Sequence, residues 1–290
     1  MSGTSRDAQM SGLRNLERLN IRQHVRLESM ALNDFRSVLQ VLTKTPPDEV
    51  YNLAGQSSVA LSFEQPVETL ESITVGTLNL LESIRFMDRP ICFYNACSSE
   101  CFGDTGGLPA DENTPFRPRS PYAVAKAAAF WEVANYREAY GIYACSGILF
   151  NHESPLRPER FVTQKVVAAA NRISLGSNEK LNLGNIDIVR DWGWAPEYVE
   201  AMWLMLQRDD PDDFIIATGQ SVSLQKFVRT VFEQFGLDWE KHVILSELLF
   251  RPADIMESRA NPAKAATKLG WVAQNKVGEV IKRLVENSLI

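Results

Sequence analysis

The hydrophobic positions of this chain change period several times, and each change marks an element. Residues 24–28 (His24-Val25-Arg26-Leu27-Glu28) alternate apolar and polar, the period-two pattern of a short strand. Residues 34–42 take up helical spacing, and Pro46-Pro47 close that helix because a proline pushes its predecessor out of helical geometry. Residues 49–54 read as a buried strand running into a turn at Gly55. Residues 66–87 read as a long helix and residues 90–96 as the next buried strand. An alanine-rich helix follows Ser120-Pro121, Gly141 stops it, and residues 142–150 form a further strand. Strands alternating with long helices imply parallel β-α-β packing in an α/β, doubly wound sheet. The first twenty residues are polar and arginine-rich and carry no strand pattern. Beyond Phe161 the elements become shorter and mixed, which suggests a second lobe or cap over the strand ends.

Composition narrows the class. At 290 residues the chain can bury a large core, and 45% hydrophobic with 23% charged residues is the make-up of a soluble globular protein. A net charge of −6 argues against a general nucleic-acid binder, although local arginines can still hold a small phosphate ligand. No apolar run reaches the length of a membrane span, and nothing at the start reads as a signal peptide, so a cytoplasmic location is expected. The four cysteines, Cys92, Cys97, Cys101 and Cys145, fit no zinc spacing and read as reduced thiols. No metal site is expected.

Candidate chemistry concentrates where strands end. Tyr122 and Lys126 are four residues apart on one helix, so the phenol and the ammonium share a face. A fixed positive charge nearby favours phenolate, which predicts a lowered tyrosine pKa and a base able to take a proton from a sugar hydroxyl. Ser98-Ser99-Glu100 follows a strand directly, the place where open α/β sheets bind ligands, and supplies a hydroxyl and a carboxylate. Asn151-His152-Glu153-Ser154-Pro155 ends the next strand. There His152 has two readings, a contact to a nicotinamide or a bond to backbone. Arg157 and Arg160 either grip phosphates or remain exposed charges. Arg190-Asp191 and Arg251-Pro252-Ala253-Asp254 each set an arginine close to a carboxylate, suited to a nucleotide diphosphate or to a structural ion pair. His24 and His242 have no companion ligands and are expected at the surface.

Taken together, these motifs resemble the GDP-mannose 4,6-dehydratase family of the extended short-chain dehydrogenase/reductase superfamily. The resemblance rests on Asn52-Leu53-Ala54-Gly55-Gln56-Ser57, Ser98-Ser99-Glu100, Ser120 to Lys126, Gly147 to Pro155 and Arg190-Asp191-Trp192-Gly193. It implies a Rossmann-like domain over residues 1–155 and a smaller nucleotide-sugar-binding lobe over 156–290, with some segments returning to the first domain. It further implies a tightly held NADP, GDP-mannose as substrate and a homo-oligomer, dimer or tetramer. Ser98, Glu100, Tyr122 and Lys126 would be catalytic. Arg6, Leu53, Gln56, Ser57, Lys126, His152 and Arg157 match cofactor-contacting positions, with Arg6 in the loop that favours the 2′-phosphate. Asn151, Lys165, Arg190, Arg251 and Asp254 are carried over to the nucleotide-sugar.

The resemblance also has departures. The family opens with a strand, a Gly-rich turn, a helix and a second strand; no such turn occurs here, and Gly106-Gly107 has the wrong flanks. Without that strand, the neighbouring strands are expected to carry unpaired backbone, which suits an incomplete gene product or fragment. Ala31 stands where the family has aspartate, and Glu68 where many members have tyrosine. Two other functions stay open: a non-catalytic relative that binds nucleotide-sugar or a partner subunit, and a different nucleotide-sugar dehydratase or epimerase. Glu100 speaks against simple 4-epimerisation, which needs no base at C5.

Overall fold

A run such as Cys92-Phe93-Tyr94-Asn95-Ala96, apolar at nearly every position, belongs in a strand covered on both faces. The computed structural model, which describes residues 1–10, 13–250 and 252–288, places it there. Among the described residues the strands are β1 (Ser2–Ser5), β2 (Arg26–Ser29), β3 (Glu49–Asn52), β4 (Cys92–Ser98), β5 (Ala144–Leu149), β6 (Asn151–Glu153), β7 (Leu181–Leu183), β8 (Val189–Trp194), β9 (Phe214–Ile216), β10 (Ser221–Ser223) and β11 (Val243–Leu245). The helices are α1 (Arg14–Arg18), α2 (Phe35–Lys44), α3 (Val59–Glu64), α4 (Pro66–Leu70), α5 (Gly76–Met87), α6 (Pro121–Tyr140), α7 (Val162–Ser174), α8 (Ala195–Leu206), α9 (Leu224–Gln234), α10 (Ala263–Leu269) and α11 (Val277–Ser288).

The larger sheet is parallel, in the order β3-β4-β5-β9, with Asn52 opposite Asn95 and Ser98 opposite Leu149. Both of its faces are covered. Val38 and Leu42 of α2, Leu81 and Ile84 of α5, and Val133 of α6 pack against Phe93. Ala201 and Met205 of α8 and Ala265 of α10 pack against Tyr94 and Phe214. Adjacent residues of β4 thus point to opposite cores, and burying each such large side chain contributes about 1.5–3 kcal/mol. The chain is therefore α/β with parallel sheets. β1 and β2 pair in parallel as a separate ladder; among the described residues no ladder joins them to β3, which leaves β3 as an edge strand. A further core, with Trp192 of β8 and Phe227 of α9, is closed by α7 and α11.

Three expectations need correction. β1 lies within the first twenty residues, which show no strand pattern. Ser2-Gly3-Thr4-Ser5 has no apolar side, and its backbone ladder to β2 holds it. The helix foreseen over residues 66–87 is continuous but contains a π-helical turn, Glu71–Val75, between α4 and α5. His242 is half-buried and stacks over Phe232 with ring centres 6.1 Å apart, whereas His24 is exposed.

Candidate active site

Parallel strands end on the same side, so β4 and β5 deliver their following residues to one mouth. β4 runs into a 3-10 turn, Ser99–Phe102, where the Ser98 hydroxyl oxygen accepts the Glu100 N–H at 3.3 Å and fixes the carboxylate's backbone. Helix α6 starts where its sequence says it should. Ser120 caps it by accepting the Ala123 N–H at 3.1 Å, and Pro121 occupies the first turn. Its C-terminus closes at Gly141, in the left-handed region at φ 66° that glycine adopts without strain. That register turns Tyr122 and Lys126 toward β4. The Lys126 ammonium donates to the Ala96 carbonyl at 2.7 Å and lies 5.9 Å from the centre of the Tyr122 ring.

Ser98, Glu100, Tyr122 and Lys126 therefore line one cavity of about 760 Å³. Its wall also includes the candidates Leu53, Gln56, Ser57, Asn151, His152 and Arg157. Lys165, Arg190 and Asp254 complete it from the second half of the chain. Arg251 lies outside the described residues. Arg6 stands apart, at the rim of an adjoining cavity of about 400 Å³ that shares Ala54, Gly55 and Gln56 with the first.

Electrostatics reverse one expectation. Burial pushes the Tyr122 phenol well above its ordinary value; a bond from Ser98 opposes the shift, and the charges of Cys101, Glu100 and Cys97 add to it. Burial also lowers the Lys126 ammonium. The spacing correctly places the lysine beside the tyrosine, but its ammonium points at the Ala96 carbonyl and desolvation dominates. The phenol is accordingly protonated in this state, a hydrogen-bond donor before it is a base.

His152 makes the backbone contact that was one of its two readings. Its Nδ1 lies 2.8 Å from the Phe150 carbonyl oxygen, and its ring stacks on Tyr198 with centres 4.7 Å apart. Burial pushes its pKa down to about 4, so the imidazole is neutral at physiological pH and presents the other ring nitrogen as an acceptor. Arg157 is anchored at the rim: Nε lies 3.1 Å from Glu153 Oε2, Nη1 donates to the His152 carbonyl at 3.2 Å, and the guanidinium covers Phe161. The Lys165 ammonium donates to the Asn182 carbonyl at 2.7 Å. Arg190, almost fully buried, donates to the Val189 carbonyl at 2.9 Å and reaches Asp254 at 4.0 Å. Its sequence neighbour Asp191 instead accepts the Thr218 N–H at 3.0 Å, a structural duty.

Glu153 is the residue that sequence reasoning passes over. It is buried, and burial pushes its pKa up to about 7 although Arg157 and a bond from Thr163 pull it down. The available signal was an arginine four positions after a carboxylate at a strand end. A carboxyl whose folded pKa is raised adds stability that is complete below its ordinary value of 4.5 and is lost as pH rises through about 7. Glu153→Gln should therefore remove a slope of up to about 1.4 kcal/mol per pH unit across that window. Urea unfolding at both ends of the window measures it; equal slopes in the two proteins would mean that Glu153 is ionised throughout.

With this geometry in view, the comparisons with known proteins are specific. Residues 1–284 match the family model described as GDP-mannose 4,6 dehydratase. The chain is 48% identical to GDP-mannose 4,6 dehydratase 1 of Arabidopsis thaliana over 262 residues, covering 89% of this chain and 72% of the relative. It is 41% identical to the GDP-mannose 4,6-dehydratase of Yersinia enterocolitica, covering 93% of this chain and 80% of that protein. Among solved structures it resembles RMD from Pseudomonas aeruginosa, complexed with NADPH, with a TM-score of 0.84 at 22% identity over 99% of this chain and 98% of that one.

Proposed function

Since the chain belongs to the GDP-mannose 4,6-dehydratase family, we propose that it converts GDP-D-mannose to GDP-4-keto-6-deoxy-D-mannose with bound NADP, the first step towards GDP-L-fucose and related deoxyhexoses. The observation that carries this reading is the meeting of Ser98, Glu100, Tyr122 and Lys126 in one cavity, in a chain so closely related to these enzymes.

The residues present fit the nicotinamide ribose and the adenosine end of the cofactor. A buried ammonium, a phenol and a serine hydroxyl at the strand ends suit a ribose and its neighbouring ring, and the adjoining cavity with Arg6 would suit the adenosine end. When bound, NADP would supply the two-electron acceptor for sugar C4 and, once reduced, the hydride for C6. Leu53, Gln56, Ser57, His152 and Arg157 would hold and orient it, with Lys126 on the ribose.

The chain's own part is proton management. Tyr122 takes the proton of the sugar 4-hydroxyl, and Ser98 donates to the developing ketone oxygen. The ketone acidifies the neighbouring C5 proton, Glu100 removes it, and the same carboxyl then protonates the departing C6 hydroxyl; once C6 is reduced, C5 takes up the proton that Tyr122 received from the 4-hydroxyl, which readies the tyrosine for the next cycle. Asn151, Lys165, Arg190 and Asp254 would hold the nucleotide-sugar, as would Arg251. Residues 156–290 would supply most of that lobe.

Incubation with GDP-mannose and NADP, with the 4-keto product followed by mass, tests this reading; a folded, NADP-loaded chain that makes none overturns it. Parallel trials with UDP- and dTDP-sugars separate it from related dehydratases and epimerases. GDP-mannose binding without NADP affinity would instead favour the non-catalytic relative.

A homo-oligomer belongs to the same reading. The π-helical turn before α5 is linked to α6 where Thr74 donates to the Ala125 carbonyl at 3.2 Å, and along these two segments Val75, Leu78, Val124 and Trp131 are exposed. A bare apolar face on two adjacent helices suits a second copy. Val75→Glu combined with Trp131→Glu should give a monomer by sedimentation; an unchanged mass would place the interface elsewhere. No helix among the described residues is long and apolar enough to cross a membrane. The four free thiols support a cytoplasmic location.

A further inference from the structure

The adjoining cavity is electrically unusual. Of the described residues lining it, two are charged, Arg6 and Glu68, and they face each other with Arg6 Nη2 2.8 Å from Glu68 Oε1. The rest of the wall is neutral, from Thr4 and Ser5 to Gln65 and Ser72. Arg6 directly follows β1, and Glu68 lies in the first turn of α4, so two separate elements bring the pair together. Side-chain exposures of 79% and 44% make this an open ion pair of small intrinsic stability, easily exchanged for a ligand contact.

In dinucleotide sites an arginine accommodates the 2′-phosphate of NADP, whereas a carboxylate accepts hydrogen bonds from the ribose hydroxyls of NAD. This cavity holds both groups at hydrogen-bonding distance. A 2′-phosphate arriving there must draw Arg6 away from Glu68 and then lie beside a like charge. A 2′-hydroxyl meets no such repulsion and finds an acceptor. Resting on the cofactor reading above, we propose that Glu68 is a specificity-determining residue that restrains the preference for the phosphorylated dinucleotide, so that this chain takes both NAD and NADP.

The test is direct binding of NADP and of NAD to the full chain, stripped of any carried cofactor, by calorimetry. Glu68→Gln keeps the shape, removes the repulsion and frees Arg6. It should raise NADP affinity relative to NAD by about tenfold at low salt, less as salt screens the charges. Arg6→Gln should move the ratio the other way. A ratio unmoved by Glu68→Gln, with both dinucleotides still binding, overturns this proposal alone. Failure of the unsubstituted chain to bind either dinucleotide overturns the cofactor reading and this proposal with it.

Discussion

Glu100→Gln should lower turnover of GDP-mannose by about 10²–10⁴-fold, the range associated with loss of a positioned acid–base group. The substitution keeps the side-chain shape and leaves the backbone N–H of residue 100 bonded to the Ser98 hydroxyl, so the 3-10 turn should survive. On the proposed mechanism it removes the group that takes the C5 proton and returns one to the C6 oxygen. Oxidation at C4 precedes both of those steps and does not require Glu100. The variant should therefore stop after the first half of the cycle, with reduced nicotinamide accumulating in one slow turnover and no exchange of the C5 proton with deuterated solvent. Absorbance of the reduced cofactor and mass analysis of the recovered sugar read the two effects separately. Normal turnover, or unimpaired C5 exchange, would assign the base to another residue.

This assignment depended on features that are legible in sequence because they are local. Ser120, Pro121 and Gly141 delimit α6 by capping chemistry alone, and the four-residue spacing then fixes a shared face for Tyr122 and Lys126. The apolar runs in β4 and β5 mark covered parallel strands, whose ends place Ser98 and Asn151 at one mouth. What escaped the sequence is non-local. β1 is polar and owes its conformation to a ladder with residues more than twenty positions away. The ionisation of Glu153, His152 and Tyr122 depends on depth of burial, which spacing does not encode. The Ala96 carbonyl that claims the Lys126 ammonium comes from a different element thirty positions earlier. Sequence thus brought the candidate residues to one cavity better than it set their protonation.

That distinction shapes the expectation for Tyr122→Phe. The ring should keep its place against Ile73, Ala125 and Ala129, so stability and GDP-mannose affinity should change little. Turnover should fall by about 10²–10⁴-fold, because on the proposed mechanism the group that accepts the 4-hydroxyl proton is gone. The loss should come before any redox change, so reduced nicotinamide should not accumulate, the opposite of the Glu100→Gln result. Because burial holds the phenol protonated in the ligand-free chain, its proton must be displaced once ligands fill the cavity. Lys126→Met should slow the same step by removing a fixed positive charge, with the Ala96 carbonyl losing its partner. If Tyr122→Phe instead turned over normally, or accumulated reduced cofactor as Glu100→Gln should, the proton would leave by another route, with Ser98 the nearest hydroxyl to take it.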